Sequence, residues 1–371
     1  MFWRGKKVFL TGHTGFKGSW MSLWLQSLGA EVAGYSLEPP TSPSLFETAS
    51  VASGMRSITG DVCDLLHLKR AMAEFKPEIV FHMAAQSLVR MSYEDPILTY
   101  QTNVMGTANV LEAVRKTESV SAVLVITTDK CYENRNSSAG YREIDVLGGH
   151  DPYSNSKACA ELVVSAYRSS FFGTGSRNAR AVAVASARAG NAIGGGDWAQ
   201  DRLLPDIVRS FAEGKMLKIR NPQAIRPWQH VLEPLRGYLM LAQKLYEDGA
   251  NFSSGWNFGP DPNDVRSVRW IVERIASAWG APAAWEIDEG EHPHEAQMLQ
   301  LDCSKAVQLL GWRPMLSLPE ALAMTIEEYR HFLSGENVRE KCLEQISAYR
   351  AKADEENAPT SVAQKKDVTA V

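Results

Sequence analysis

The sequence predicts an α/β protein, built on a doubly wound parallel sheet that is followed by a smaller C-terminal α/β lobe. Short apolar segments alternate with segments of helical length and pattern through the first half of the chain. The apolar segments are continuous, which is typical of strands buried on both faces. A glycine-rich turn separates the first apolar segment from the first helical one. Together these observations indicate repeated β-α-β units around one parallel sheet.

The elements alternate regularly up to about residue 187. Gly29 suits the end of the first helix, because glycine readily adopts the left-handed conformation found there. We expect strands at residues 7–11, 31–36, 56–60, 78–83, 121–127 and 179–187, and helices at residues 16–28, 64–75, 97–116 and 152–172.

Beyond residue 188 the spacing is less regular, with a glycine-rich loop at 194–198 and a helix expected at 203–213. We therefore expect a first domain at 1–187, to which 228–256 returns, and a smaller lobe across most of 188–345. Residues 346–371 contain few large apolar side chains, which predicts a flexible tail.

The composition excludes several classes of protein. The chain has 371 residues, of which 44% are hydrophobic, too many for a wholly disordered protein. Lysine and arginine total 39 against 43 acidic residues, which argues against a nucleic-acid partner. No apolar segment is long enough to cross a membrane and the amino terminus lacks a signal-peptide pattern, so we expect a cytoplasmic protein. Five cysteines without a C-x-x-C pair indicate reduced thiols.

Gly12, Gly15 and Gly18 lie between the first strand and the first helix. Glycine lets the backbone turn tightly and approach a pyrophosphate, and the helix start offers free N–H groups to the phosphates. The spacing therefore predicts a Rossmann-type dinucleotide site in the first domain, with Thr14 and Phe16 in the same turn.

Tyr153 and Lys157 lie at the start of a predicted helix that follows the fifth strand. Their spacing puts both on one helical face, so the phenol and the ammonium can converge. A neighbouring positive charge lowers the pKa of a phenol, which would let Tyr153 accept a proton from a sugar hydroxyl. We expect this pair at the carboxyl edge of the sheet, where α/β proteins place their chemistry.

The glycine turn and the Tyr-x-x-x-Lys pair resemble those of the extended short-chain dehydrogenase/reductase superfamily. This resemblance implies a nicotinamide cofactor and assigns Thr128 to the reacting oxygen of the substrate. Ser36 stands near the end of the second strand, where the superfamily usually has an acidic residue that binds ribose, and no arginine is nearby. We therefore expect NAD rather than NADP, with a weakened ribose contact. Further cofactor contacts implied by the resemblance are Asp61, Val62, Ala84, Ala85 and Gln86.

Asp129 and Lys130 follow Thr128 at a position where nucleotide-sugar 4,6-dehydratases typically carry Asp-Glu and epimerases lack the pair. The resemblance to this branch implies that Asp129 protonates a departing 6-hydroxyl. Lys130 would either remove the C5 proton as a neutral base or stay charged and stabilise the enolate. Residues 12–20, 128–134 and 188–198 further resemble the members of the branch that act on CDP-glucose. Those members supply CDP-4-dehydro-6-deoxyglucose to deoxysugar and lipopolysaccharide synthesis.

A nucleotide diphosphate needs positive charge, and arginine can bind phosphate with two donors. Arg202, Arg220 and Arg226 are the candidates in the second lobe. The resemblance adds Asn191 and Asn257 on the diphosphate side, and Ser87 and Asn103 at the sugar. It also implies a homodimer through helices near 97–116 and 152–172.

Three other interpretations of the sequence are less favoured. His292 and His294 with Glu291 and Glu295 have no cysteine nearby, and we expect rim residues there and no metal site. The chain could be a nucleotide-sugar 4-epimerase on the same fold, but the Asp129-Lys130 pair argues against that function. A non-catalytic NAD-sensing regulator would have no need of both Tyr153 and Lys157.

Overall fold

A computed structural model describes residues 2–135, 139–172, 181–280, 284–290 and 299–357. Its strands are β1 (Lys7–Thr11), β2 (Glu31–Ser36), β3 (Arg56–Thr59), β4 (Ile79–His82), β5 (Ala122–Ile126), β6 (Ala183–Ala189), β7 (Ala192–Ile193), β8 (Leu217–Ile219), β9 (Ile225–Pro227), β10 (Gln229–His230), β11 (Gly255–Phe258), β12 (Val265–Ser267) and β13 (Trp285–Ile287).

Seven of these strands form one sheet in the order β11-β6-β5-β4-β1-β2-β3, and every neighbouring pair is parallel. The chain runs outward from β1 to β3, crosses back to β4 and continues outward to β6 and β11. The predicted doubly wound sheet is thereby confirmed. The order reverses between β1 and β4, and ligands of such sheets bind at the carboxyl ends beside that reversal.

Twelve α-helices connect the strands or pack against them in the described part of the chain. They are α1 (Phe16–Ser27), α2 (Leu45–Thr48), α3 (Leu65–Phe75), α4 (Val89–Glu94), α5 (Pro96–Tyr100), α6 (Gly106–Arg115), α7 (Pro152–Tyr167), α8 (Leu203–Ala212), α9 (Leu232–Phe252), α10 (Val268–Trp279), α11 (Leu318–Leu333) and α12 (Val338–Asn357).

The sheet separates two apolar cores because successive side chains of a strand point to opposite faces. Val8 and Leu10 of β1 face the core that contains α1, α9 and α12, whereas Phe9 between them faces α3, α6 and α7. A third core fills the smaller lobe, where residues such as Ile207, Phe211 and Ile271 join α8, α10 and α11 to the short strands β8 and β13.

Three expected elements differ in detail. Strand β3 is largely exposed, because it is the edge strand and has a neighbour on one side only. Strand β6 begins at Ala183 and not at residue 179, and extends to Ala189. The helix expected at 97–116 is interrupted by a π-helical turn at Gln101–Met105, between α5 and α6.

The flexible tail predicted from residue 346 is wrong for residues 346–357, which belong to α12. Ile346, Tyr349 and Ala353 are buried on the face of α12 that packs against α1. The ring of Tyr349 lies 5.7 Å from that of Trp24, and its hydroxyl donates to Glu233 of α9 at 2.6 Å. The division at residue 188 stays a prediction, although residues 338–345 belong to α12 as well, which packs against α1 of the first domain. Residues 179–180, 291–295 and 358–371 lie outside the described residues.

Candidate active site

The glycine turn joins the end of β1 to the start of α1. Gly12 has a φ of +78°, and a Cβ there would lie 2.7 Å from the backbone nitrogen of Ala84. A Cβ on Gly18 would lie 2.0 Å from the carbonyl oxygen of Gly12. Gly15 caps α1 without a side-chain hydrogen bond, so the first N–H groups of the helix face the space above the turn. This geometry is that of an anion cradle made from backbone.

A second strand end lies beside the turn. The hydroxyl of Thr11 accepts hydrogen bonds from the N–H groups of Met83 and Ala84, at 3.1 and 3.2 Å. The segment Ala84, Ala85 and Gln86 is thereby held along the floor of the cavity, which all three residues line.

Asn103 does not line the cavity, which corrects its expected place at the sugar. It is 1% exposed, and its amide nitrogen donates to the Gln86 carbonyl and the Ser156 hydroxyl at 2.9 and 2.8 Å. Its side-chain oxygen accepts from the Gln86 N–H at 2.9 Å. The π-helical turn turns this residue inward, where all of its amide groups are used to hold the Gln86 segment.

The far end of the same cavity contains the expected contacts for the adenosine half of a dinucleotide. The hydroxyls of Thr14 and Ser36 hydrogen bond at 2.8 Å, and Asp61 accepts from the Cys63 N–H at 2.8 Å. Val62 lies beside Asp61 on the wall. Glu38, which the sequence pattern did not single out, also lines this end and accepts from the Thr59 hydroxyl at 3.1 Å. A carboxylate is therefore present two residues beyond the position where the sequence pattern lacked one.

Thr128, Asp129 and Lys130 lie just beyond the carboxyl end of β5, and Tyr153 and Lys157 lie in the first turns of α7 opposite them. The Thr128 hydroxyl donates to Asp129 Oδ1 at 2.9 Å. Asp129 is 1% exposed, and its Oδ2 has no hydrogen-bond partner among the described residues. The Lys157 ammonium donates to the Ile126 carbonyl at 3.2 Å. All five side chains line the cavity that the glycine turn enters.

The electrostatics of the Tyr153-Lys157 pair differ from the expectation. Burial raises the pKa of Tyr153 to about 12, although the neighbouring Thr128 hydroxyl works in the opposite direction. The expected lowering of this phenol pKa is therefore wrong for the protein alone. Burial, together with the charge of Lys17, lowers the pKa of Lys157 to about 8. A bound cation beside the phenol would be needed to favour the phenolate.

Three arginines extend the cavity toward the smaller lobe. Arg202 donates to Asp197 at 2.8 Å and to the Ser87 hydroxyl at 2.9 Å, and Arg220 pairs with Asp201 at 3.1 Å. Arg226 of β9 is 8% exposed and lines the same wall. Asn191, just before β7, lines the cavity as well. The two ion pairs hold Arg202 and Arg220 in place at the wall, where each could exchange its carboxylate for a phosphate.

Asn257 on β11 is a second correction. It is fully buried, its amide nitrogen donates to the carbonyls of Tyr141 and Asp302, and its side-chain oxygen accepts from the Tyr132 hydroxyl at 2.7 Å. Asn257 does not line the cavity. Its amide group is hydrogen bonded to Tyr132, Tyr141 and Asp302 instead. Its role is structural.

The cavity has a volume of about 1620 Å³, and apart from Asn103 and Asn257 every site residue expected from the sequence lines it. Single ligands usually fill pockets of about 300–1,000 Å³, so this one has room for two nucleotides side by side. Lys17, in the first turn of α1, also lines it. Lys17 has no role among the sequence-based predictions, although its position between Gly15 and Gly18 indicates that its side chain starts at the cradle.

Within the ranges that the structure describes, no helix is long and apolar enough to cross a membrane. The described side chains also contain no group of three histidine, cysteine, aspartate or glutamate residues arranged to hold a metal ion.

Comparisons with known proteins identify relatives that are nucleotide-sugar dehydratases. A family model described as GDP-mannose 4,6 dehydratase matches residues 9–325. The CDP-glucose 4,6-dehydratase of Salmonella typhimurium is 56% identical over 94% of this chain and 97% of its own length. The GDP-mannose 4,6-dehydratase of Vibrio cholerae is 26% identical over 87% of this chain and 93% of its own length.

Solved structures share the fold. DesIV, a dTDP-glucose 4,6-dehydratase from Streptomyces venezuelae solved with NAD bound, has a TM-score of 0.75 at 23% identity and covers 89% of this chain and 98% of its own. MoeE5 in complex with UDP-glucose and NAD has a TM-score of 0.75 at 24% identity, with 88% of this chain and 99% of its own covered. At these identities the likeness concerns the fold alone.

Proposed function

Because this chain belongs to the GDP-mannose 4,6-dehydratase family, we propose that it removes water from a nucleotide-diphosphate hexose, with NAD as the internal carrier of hydride. The substrate we propose is CDP-glucose and the product CDP-4-dehydro-6-deoxyglucose. The enzyme that shares 56% of its residues with this chain is named for that reaction.

The observation that carries the proposal is the convergence of two sets of groups on one cavity. Tyr153 and Lys157 approach from α7, and Thr128, Asp129 and Lys130 approach from the end of β5. The first set suffices for oxidation and reduction of a sugar carbon. The second adds a buried carboxyl and an amine, which a simple oxidoreductase or an epimerase has no need of and which water loss requires.

The residues present fit NAD. The backbone cradle at Gly12, Gly15 and Gly18 has no Cβ atoms to keep a pyrophosphate away. Ser36, Glu38 and Asp61 supply polar groups at the adenosine end, and Ala84 and Ala85 leave the floor open. No arginine of the described part lies beside Ser36 to take a 2′-phosphate, which favours NAD over NADP. When bound, NAD would accept hydride from C4 of the sugar and return it later at C6.

In the oxidation step Tyr153 would accept the proton of the 4-hydroxyl while Thr128 holds the same oxygen. Deprotonation of Tyr153 is unfavourable in the protein alone, because burial raises its pKa to about 12. The positive charge of Lys157 and that of a bound cationic ring would each favour the phenolate. The pair is therefore arranged to act once the site is filled.

In the elimination step the 4-keto group makes the C5 proton acidic. Lys130 would remove that proton as the base or stabilise the resulting enolate with its charge. Asp129 would protonate the departing 6-hydroxyl, since its Oδ2 is buried and has no partner among the described residues. With Lys130 as the base, the proton removed at C5 and the one that Asp129 gives to the leaving oxygen balance across the two residues. With Lys130 charged, Asp129 Oδ2 would itself take the C5 proton and pass it to the leaving oxygen.

The test is product analysis after incubation with CDP-glucose and NAD in D₂O. We expect a product that has lost one water, with deuterium at C5 and no net reduction of NAD. Parallel reactions with dTDP-, UDP- and GDP-glucose measure the preference for the base. An isomer of unchanged composition would reassign the protein to the epimerases. Binding of NAD with no turnover of any of these sugars would favour a regulatory protein.

Three finer features belong to the same proposal. A homodimer would cover the exposed apolar side chains of Ile97, Met105 and Leu162, which lie on neighbouring helical segments. A cytoplasmic location fits five free thiols, since oxidising compartments favour disulfides. The product would feed deoxysugar synthesis for surface lipopolysaccharide.

A further inference from the structure

Lys17 is a charged group in the cavity for which the reaction described above has no role. It is the second residue of α1 and leaves the helix between Gly15 and Gly18. Its side chain is half-buried and lines the cavity. It forms no hydrogen bond and no ion pair with any residue that the structure describes, whereas Arg202 and Arg220 each pair with an aspartate.

The surroundings of Lys17 hold other charges of both signs. Asp129 and Asp197 attract its ammonium, and Arg202, Lys130 and Lys157 repel it. Neither aspartate forms an ion pair with Lys17: Asp197 pairs with Arg202, and Asp129 keeps its Oδ2 without a partner among the described residues. A half-buried cation left in this position costs free energy unless an anion arrives to offset it.

The ligands of the proposed function would bring the negative charge that Lys17 lacks. This inference rests on that proposed function. A nucleotide sugar and a dinucleotide each carry a diphosphate, and the α1 amino terminus already points free N–H groups into the cavity. We propose that the Lys17 ammonium binds a phosphoryl oxygen of a bound nucleotide, next to the backbone donors of the glycine turn. The diphosphate of the substrate and that of the cofactor share this chemistry.

Proton uptake gives this role a distinctive signature. Burial and the charge of Arg202 lower the pKa of Lys17 to about 8 in the protein alone. A phosphoryl group at the ammonium favours the charged form and raises that pKa. Near pH 8, where Lys17 is about half protonated, binding should therefore draw about half a proton from the buffer through Lys17, and near pH 6.5 Lys17 is already protonated and adds nothing. The terminal phosphate of CDP titrates near pH 6, so the uptake by Lys17 is the difference between the wild type and Lys17→Met.

The experiment is calorimetric titration of the full chain with CDP and, separately, with ADP-ribose, at both pH values and in two buffers of different ionisation enthalpy. We expect Lys17→Met to weaken one of the two ligands by about tenfold or more, the usual scale for a lost charge-assisted hydrogen bond, and to abolish its proton uptake. Lys17→Arg should keep most of the affinity without the uptake, because arginine is always protonated. Lys244→Met, on the exposed side of α9 and outside the cavity, is the control.

Loss of CDP binding would identify the substrate diphosphate as the partner, and loss of ADP-ribose binding the cofactor diphosphate. Wild-type affinity and unchanged proton uptake for both ligands in Lys17→Met would overturn the inference. If the wild type binds ADP-ribose and not CDP, the proposed substrate is wrong. The role of Lys17 is then tested by the affinity of Lys17→Met for ADP-ribose alone.

Discussion

At the scale of single residues, the roles proposed for Asp129 and Lys130 divide the elimination into two proton transfers that can be measured separately. Asp129→Asn leaves Lys130 able to act at C5 and removes the proton for the leaving oxygen. We expect CDP-glucose to exchange its C5 hydrogen with D₂O in this variant while product formation falls by about a hundredfold, within the usual range for general acid catalysis. Mass and NMR analysis of the recovered sugar measures both quantities.

Lys130→Arg distinguishes the two roles left open for that residue. Arginine keeps the positive charge and cannot act as a base near neutral pH. If Lys130 stabilises the enolate by charge, Lys130→Arg should retain a substantial rate and Lys130→Met should not. Equal loss in both variants, with no C5 exchange in either, would assign Lys130 as the base.

At the scale of elements, α11 holds an acidic side chain against the glycine-rich loop before α8. Glu328 is buried beneath Gly195, accepts from the Cys342 thiol at 3.4 Å, and has its pKa raised to about 8 by burial. An unfolded chain releases this proton near pH 4.3. Between these two values the folded state holds more protons, so stability falls as the pH rises through the window and levels off above about pH 8.

Glu328→Gln removes this titration and keeps a neutral side chain of the same shape. We expect its Tm to decline less than that of the wild type between pH 5.5 and pH 8, by at least about 2 °C, as measured by thermal unfolding at the two pH values. Glu327→Gln, on the same helix but 60% exposed and paired with Lys341, should follow the wild type. An identical decline in all three proteins would mean that Glu328 is ionised in the fold.

At the scale of the whole molecule, α5, the π-helical turn and α7 present apolar side chains to solvent. Ile97, Met105 and Leu162 are 66%, 55% and 59% exposed. Burial of such residues between two copies is favourable by about 25 cal/mol per Å². We expect sedimentation velocity to find a dimer for the wild type and a shift toward monomer for Leu162→Glu with Met105→Glu. Leu309→Glu, equally exposed on another face, should leave the dimer intact, and a monomeric wild type would refute the interface.

The doubly wound parallel sheet could be predicted from the sequence because each β-α-β unit is local and strongly patterned. The glycine turn and the Tyr153-Lys157 pair could be predicted from their spacing, whereas most of the other residues that line the cavity were implied by the family resemblance. Asn103 and Asn257 were misassigned because their partners are remote, with Ser156 and Tyr132 respectively 53 and 125 residues away. No local pattern distinguishes an amide that binds a ligand from one that holds two backbone segments together.

The features that the sequence analysis missed differ in how much local signal they carry. The buried face of α12 consists of Ile346, Tyr349 and Ala353, at helical spacing but among many polar residues. The π-helical turn has no such signal, because its five residues are as compatible with an ordinary helix as their neighbours are. The position of Lys17 in the glycine motif can be read from the sequence. That it has no ion-pair partner among the described residues can be known only from the structure.

The packing of α12 has a consequence for biosynthesis. The helix that bears the glycine turn is covered by the last helix described, through Trp24 and Tyr349, and that last helix is tied to α9 through Glu233. During translation the amino-terminal half leaves the ribosome long before α12 exists, so the side of its first helix that packs against α12 has no partner, although β1 and β2 already cover another side. The nascent chain must therefore remain incompletely packed, and exposed to chaperones and proteases, until synthesis has passed residue 350 or so.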